Sequence, residues 1–328
     1  MRLLITGGTG FIGSRLALRA RALGHEVAVV GMTNTPAEEA NRRELDAAGV
    51  GVQLKDLEEM AGTSELFRGV DAVIHLAAAQ HEVTVPDEHF RKVNVEGTRV
   101  LMDAARTAGA GRFVYGSTIG VYGDRDGLLD EATPAAPDNV YGRSKLEAER
   151  LVLGRAGGQP VVVVRITETY GPGDRRLLKL FKALRKGRFF VIGNGRNLHH
   201  PAYVDDLADG LLLAALSPAA LGDVFLLPGK DAVTTDEMVA AVAAAVGRPA
   251  PTVRAPLWPF MVAADVLERT LRPLGVQPPL HRRRMDFFKK SFRLSGEKAA
   301  RVLGFTPRVG FREGAERTAR WYEQVGEL

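Results

Sequence analysis

An apolar run that feeds straight into Thr6-Gly7-Gly8-Thr9-Gly10-Phe11-Ile12-Gly13 constrains this chain more than any other feature. Residues 1–5 read as a buried strand, 15–23 as a helix ending at Gly24, and 25–30 as a second strand. Strand, tight glycine turn, helix, strand is the context in which such a turn cradles dinucleotide phosphates. Gly7 permits the sharp turn, Gly10 lets the backbone approach a pyrophosphate, and Gly13 lets the helix pack on the strand. Free N–H groups at the helix start would face the anion.

The alternation then continues. Strands are expected at 3–6, 27–30, 52–55, 72–76, 113–117 and 161–166, with helices between them that include 90–108 and 141–154. That order implies an α/β fold, a Rossmann-type doubly wound parallel sheet with right-handed crossovers. After Gly171-Pro172-Gly173-Asp174 the pattern changes to a basic helix at 175–186 and a turn-rich stretch at 193–197. A helix follows from Val204, with Asp205 or Asp206 expected as its cap, and 224–227 reads as a strand returning to the sheet. From 235 onward the chain reads as helices broken by prolines at 249, 251, 256, 259, 273, 278 and 279. The expected division is 1–166, with 202–230 returning to it, for the dinucleotide. Residues 167–201 and 231–328 form a smaller, mostly helical C-terminal substrate-binding region.

Composition narrows the function classes. The 328 residues are 45% hydrophobic and 25% charged, ordinary for a globular protein able to bury a large core. There is no cysteine, which excludes disulfides, a thiolate nucleophile and Cys-based metal sites, and no metal is expected. The net charge of +5 is spread out, apart from His281-Arg282-Arg283-Arg284 and Lys289-Lys290, and no aromatic residues interleave with it. Nucleic acid is therefore not expected as the ligand. No apolar run reaches the length of a membrane span, and no signal peptide is expected ahead of the first strand, so the expected compartment is the cytoplasm.

Tyr141 and Lys145 lie four residues apart on an expected helix and so share a face. An ammonium beside a phenol favours phenolate, which suits proton transfer, and it can also hold a ribose hydroxyl. The strand at 113–117 ends in Ser117-Thr118, at the carboxyl edge where such sheets place ligands, so a hydroxyl there can polarise a substrate oxygen. His75 reads as a hydrogen-bonded strand histidine and not a ligand.

Together these residues resemble the extended short-chain dehydrogenase/reductase family, in its NAD-dependent epimerase/dehydratase branch. The resemblance runs through Asp56-Leu57, Val73-Ile74-His75-Leu76-Ala77-Ala78, Asn94-Val95-Glu96-Gly97-Thr98, Gly116-Ser117-Thr118 and Val121-Tyr122-Gly123. It continues in Tyr141-Gly142-Arg143-Ser144-Lys145, Tyr170-Gly171-Pro172-Gly173, Tyr203-Val204-Asp205-Asp206 and Leu303-Gly304-Phe305. It implies Tyr141 as acid/base, Lys145 as its electrostatic partner and ribose anchor, and Thr118 as the hydroxyl, with Ser117 the alternative. It also implies that Gly7, Gly10, Phe11, Ile12 and Gly13 lie along the pyrophosphate, with Asp56 and Leu57 at the adenine. Leu76, Ala77, Ala78 and Ile166 would line the cofactor channel and Asn94 would support it. Gln80, Ser117, Glu168, Arg196 and Arg283 would face the substrate.

Three departures qualify the resemblance. Gly31 stands where NAD-preferring members carry Asp at the second strand's end, and Arg42 or Arg43 could approach a 2′-phosphate, so NAD and NADP both remain open. Glu168 stands where many nucleotide-sugar enzymes place an Asn on substrate phosphate, and a carboxylate there disfavours a diphosphate. Leu198-His199-His200-Pro201 stands where an arginine is common, with Arg196, Arg283 or Arg284 as substitutes. The leading expectation is an epimerase, dehydratase or dehydrogenase of a nucleotide sugar, acting as a homodimer. A hydroxysteroid- or isoprenoid-type dehydrogenase is the alternative, supported by Glu168 and by the apolar stretch 257–262. A nucleotide sensor without turnover is the third, and the intact Thr118, Tyr141 and Lys145 argue against it.

Overall fold

Short β-branched runs build the centre of the molecule. In this computed structural model, which describes residues 1–60, 63–80, 85–271, 274–276, 278–280 and 282–328, seven strands form one sheet. They are β1 (Arg2–Thr6), β2 (Glu26–Gly31), β3 (Gly51–Leu54), β4 (Ala72–His75), β5 (Arg112–Thr118), β6 (Val161–Ile166) and β7 (Val224–Leu227). Their order is β7–β6–β5–β4–β1–β2–β3, and every pairing is parallel. Such a sheet needs both faces covered, which is why its strands are apolar on both sides.

Alternate residues feed two cores. Leu3, Ile5, Ile74, Val114, Val162 and Val164 pack against the helices Phe11–Ala22 and Val204–Leu216. Leu4, Val73, Phe113, Tyr115, Val161 and Val163 pack against Gly97–Thr107 and Val140–Leu153 on the other face. The result is the expected Rossmann-type α/β fold. From β1 the chain winds outward to β3, then returns to place β4 on the opposite side of β1. This reversal opens a crevice beyond the carboxyl ends of β1 and β4, where Thr6 pairs with His75.

Several local expectations shift. The helix expected at 90–108 is continuous but contains a π-helical turn, Lys92–Glu96, between Asp87–Arg91 and Gly97–Thr107. Neither Asp205 nor Asp206 caps the helix at 204: its N-cap is Tyr203. Asp205 instead pairs with Arg15 at 2.9 Å, and Asp206 accepts the backbone N–H groups of Arg308 and Val309. The basic helix is shorter, Leu178–Arg185, because Arg175 and Arg176 turn to Glu327 and Asp174. Pro259 breaks nothing. It lies in the first turn of Leu257–Leu271, where a missing N–H costs no hydrogen bond. Pro273 and His281 lie outside the described residues.

The remaining chain gathers at the carboxyl edge of β5–β7. Two-residue strand pairs, such as Arg293–Leu294 with Leu128–Leu129, tie it to the sheet side. Its core joins Tyr170, Phe181, Met238, Val242, Phe311 and Tyr322. The Leu257–Leu271 helix is the exception, since Ala264 is its one buried residue.

Candidate active site

The glycine turn after β1 is shaped by steric need. Gly7 has φ +68°, and a Cβ there would lie 2.6 Å from the backbone nitrogen of Ala77 in the segment leaving β4. Gly13 packs directly beneath Gly7 and Gly8 and leaves no room for a side chain. Gly10 caps the Phe11–Ala22 helix without a side-chain hydrogen bond, and no acidic residue sits in the first turn. The helix start thus keeps amide donors and partial positive charge for an anion. These features fit a dinucleotide pyrophosphate. Phe11 lies against Gly173, where a Cβ would come within 3.0 Å of its ring, and Ile12 is half-buried on the sheet core.

At the other end of the crevice the surroundings of Gly31 and of the two candidate arginines are defined. Gly31 ends β2 against Thr9, whose hydroxyl donates to the Met32 carbonyl at 2.7 Å, and no Cβ fits there. Arg42 is held by Glu39 at 2.8 Å and by Asp46, and Arg43 by Glu39 at 3.1 Å. Neither arginine is poised for a 2′-phosphate in this arrangement. Asp56 is exposed, while Leu57 is buried against Gly97.

Asn94, in the π-helical turn, clamps the wall of the crevice. Its amide accepts from Ala79 N at 2.8 Å and donates to Ala79 O and to Ser144 Oγ, and Ser144 Oγ donates to the Tyr141 carbonyl. This joins the exit of β4, with half-buried Leu76, Ala77 and Ala78, to the helix carrying Tyr141. His75 is fully buried between two hydroxyls, Thr6 at 2.6 Å and Thr98 at 2.9 Å. Thr98 donates to the Asn94 carbonyl, so it accepts from His75 Nε2–H while Thr6 donates to Nδ1. Burial, aided by the charge of Lys145, pulls this imidazole down to about 3. It is a neutral strut, as the strand reading expected.

Val140–Leu153, capped by Asn139 on Gly142 N, carries Tyr141, Lys145 and Glu149 on successive turns of one face. Tyr141 is half-buried and Lys145 is 2% exposed, its Nζ 4.2 Å from the centre of the Tyr115 ring. Burial draws the Lys145 ammonium down to about 7, against the pull of the Glu149 carboxylate. Glu149 was not anticipated. It forms a buried pair with Arg165 at 2.6 Å, and Arg165 donates to Tyr122 Oη, which donates to the Asp130 carbonyl. Strand alternation sends Ser117 to this same face, where its hydroxyl donates to Glu149 at 2.7 Å. Ser117 is therefore withdrawn from the cleft, contrary to its expected substrate role. Thr118 is half-exposed, and its Oγ1 accepts from Gly120 N, which leaves the hydroxyl proton to donate.

Thr118 pairs in register with Ile166, and two residues on lies Glu168. Its side chain is 35% exposed, and its carboxylate meets His199 Nδ1 at 3.0 Å. Burial works to raise this carboxyl, but His199, helped by Arg176, holds it below the usual range. Gln80 is half-buried at the crevice wall and Arg196 is exposed on its turn, while the side chain of Arg283 lies outside the described residues. Arg284 donates to the Pro279 carbonyl and not into the cleft.

Comparison with known proteins settles the class. The model of the NAD-dependent epimerase/dehydratase family matches residues 3–227. The chain belongs to this family. It is similar over 98% of its length to a dTDP-glucose 4,6-dehydratase of Actinoplanes sp., at 31% identity and 98% of that protein. It is equally similar to a 2-alkyl-3-oxoalkanoate reductase of Stenotrophomonas maltophilia, at 30% identity over 97% of this chain and 98% of that one. Among solved structures, DesIV, a dTDP-glucose 4,6-dehydratase from Streptomyces venezuelae with NAD and TYD bound, superposes with TM-score 0.78. That match has 27% identity and covers 99% of this chain and 97% of the other. The family is one of NAD-dependent epimerases, dehydratases and related reductases of the extended short-chain type, and this chain is an enzyme of that type.

Proposed function

We propose that the protein is an NAD(P)-dependent oxidoreductase that interconverts a secondary carbinol and its ketone. The observation that carries this reading is the row Tyr141–Lys145–Glu149 beside Thr118, at the sheet edge next to an uncapped glycine turn. Residues 1–166 with 202–230 hold the dinucleotide, and 167–201 with 231–328 hold the substrate. Gly7, Gly10, Phe11, Ile12 and Gly13 take the pyrophosphate on backbone amides, Asn94 fixes the channel wall of Leu76, Ala77 and Ala78, and Lys145 anchors the ribose. When bound, the nicotinamide ring supplies the hydride acceptor or donor. Thr118 donates its hydroxyl proton to the substrate oxygen and orients it. Tyr141 takes the carbinol proton on its phenolic oxygen, or returns it to the ketone. Lys145 favours phenolate when charged, and Glu149, itself fixed by Arg165 and Ser117, favours that charge.

Two substrate readings follow from different observations. Nucleotide sugars are supported by relatives such as the dTDP-glucose dehydratases. An uncharged alcohol or ketone is supported by the reductase relatives and by Glu168, an anion where a diphosphate would lie. Tyr141→Phe removes one hydroxyl and should cut turnover ~10²–10⁴-fold while NADH binding, followed by fluorescence, stays within about threefold. Retention of more than about a tenth of the activity would remove Tyr141 from the role.

A further inference from the structure

Glu168 is held by more than one ion pair. His199 is 2% exposed at its side chain and tilts against the Phe287 ring with centroids 4.5 Å apart. Its Nε2 lies 3.0 Å from Thr235 Oγ1, and Thr235 donates its own proton to Asn197 Oδ1 at 2.6 Å. Asn197 Nδ2 also approaches Nε2 at 3.2 Å, but its hydrogens serve the carbonyls of Phe287 and Lys290. Thr235 Oγ1 and Asn197 Nδ2 thus bracket Nε2 on the side of the ring away from Glu168. Nδ1 faces the Glu168 carboxylate and donates to it. The buried chain Asn197–Thr235–His199 holds Nδ1 against one oxygen of Glu168.

The consequence lies with the rest of that carboxylate. The Glu168 side chain remains about a third exposed at the sheet edge, two residues past the register partner of Thr118. We propose that Glu168, locked by His199, is an anionic subsite that takes a hydrogen-bond donor of the substrate, a hydroxyl or ammonium group, and turns away phosphorylated substrates. This rests on the second substrate reading above only in that no diphosphate faces Glu168. A fixed carboxylate accepts but cannot donate, so it rewards a donor with a charge-assisted bond and repels phosphate oxygens. A pair serving only to pin the segment around His199 would make no distinction among ligands by charge.

The test uses the full chain saturated with NADH, so cofactor binding is established first; its failure would count against the proposed function and not against this subsite. Three probes are titrated by calorimetry: hexylammonium, hexanoate and uridine diphosphate. Wild type should bind hexylammonium roughly tenfold or more tighter than hexanoate, with no detectable uridine diphosphate. Glu168→Gln keeps an acceptor for His199 and removes the charge. It should erase the preference for hexylammonium and admit uridine diphosphate roughly tenfold more readily. Equal binding of the two hexyl probes to wild type, absence of binding included, overturns the proposal, and so does tight uridine diphosphate binding unchanged in Glu168→Gln. Should the variant not fold, the wild-type titrations decide alone.

Discussion

The sheet side of the molecule and its Leu257–Leu271 helix are built to different standards. Around β1, β4, β5 and β6 most inward side chains are wholly buried, and polar ones other than the Tyr115 hydroxyl are paired in short chains: Thr6–His75–Thr98–Asn94, or Ser117–Glu149–Arg165–Tyr122. The helix buries one alanine and turns Trp258, Val262 and Val266 to the surface. Chemistry needs groups held to fractions of an ångström, whereas a largely exposed helix tolerates drift and sequence change. The contrast teaches where the chain is committed, and it can be broken by measurement.

The largest expected effect is on the sheet side, in acid. His75 titrates at about 3 in the folded protein against 6.5 unfolded, so the unfolded state binds the extra proton between these values. Stability is unaffected by this group above pH 6.5 and falls as pH drops toward 3, by roughly 5 kcal/mol in all. Burial also lowers His200, which adds in the same direction. Urea unfolding between pH 6.5 and 5, above most carboxylate titration, should show a slope of at least one proton, near 1.4 kcal/mol per pH unit at the lower end. A flat profile would mean that the buried strut opens to water. Lys145 acts at the other end: its folded value of about 7 lies below 10.5, so stability should rise with pH between them.

Next come the neighbouring hydroxyls. Thr118→Val should cost ~10²–10³-fold in turnover, as loss of a positioned donor does. Ser117→Ala should leave turnover within about threefold, since its partner Glu149 keeps Arg165. Reversed effects would reassign the substrate hydroxyl to Ser117.

How much of this was legible follows from which forces act locally. The strands were readable to within a residue or so because β-branched runs between turns carry their own signal, as in 161–166. The pair Tyr141–Lys145 was readable because helix spacing fixes it, and the same spacing extended one turn would have found Glu149. Strand alternation also puts Ser117 with buried Phe113 and Tyr115, a signal that was present and not used. His199 with Thr235 and Asn197 was not readable. These are brought together by two-residue strand pairs that only tertiary contact defines. The close approach of Thr9 to Gly31 was hidden for the same reason, because Thr9 comes from another turn.

That contact yields the third prediction. Gly31→Asp should not switch cofactor preference, because its Cβ would press on Thr9 before any carboxylate reached a ribose. Overpacking of this kind costs ~1–3 kcal/mol, and NADH and NADPH should weaken together. Titration of both cofactors checks it, and loss of NADPH alone would restore Gly31 to the ribose.

The smallest expected effect is on the Leu257–Leu271 helix. Trp258, Val262 and Val266 are 70%, 56% and 55% exposed, and their spacing of four puts them in one stripe along the helix. Folding removes little of their surface from water, so replacing them forfeits little. Trp258→Ser should change stability by no more than ~0.5 kcal/mol, where truncating a buried strand side chain such as Ile74→Ala should cost ~2–5 kcal/mol. Paired melting curves at two protein concentrations measure both. A loss above about 1 kcal/mol for Trp258→Ser that grows with concentration would show a second copy covering the stripe, and the helix would then belong to the committed part of the molecule.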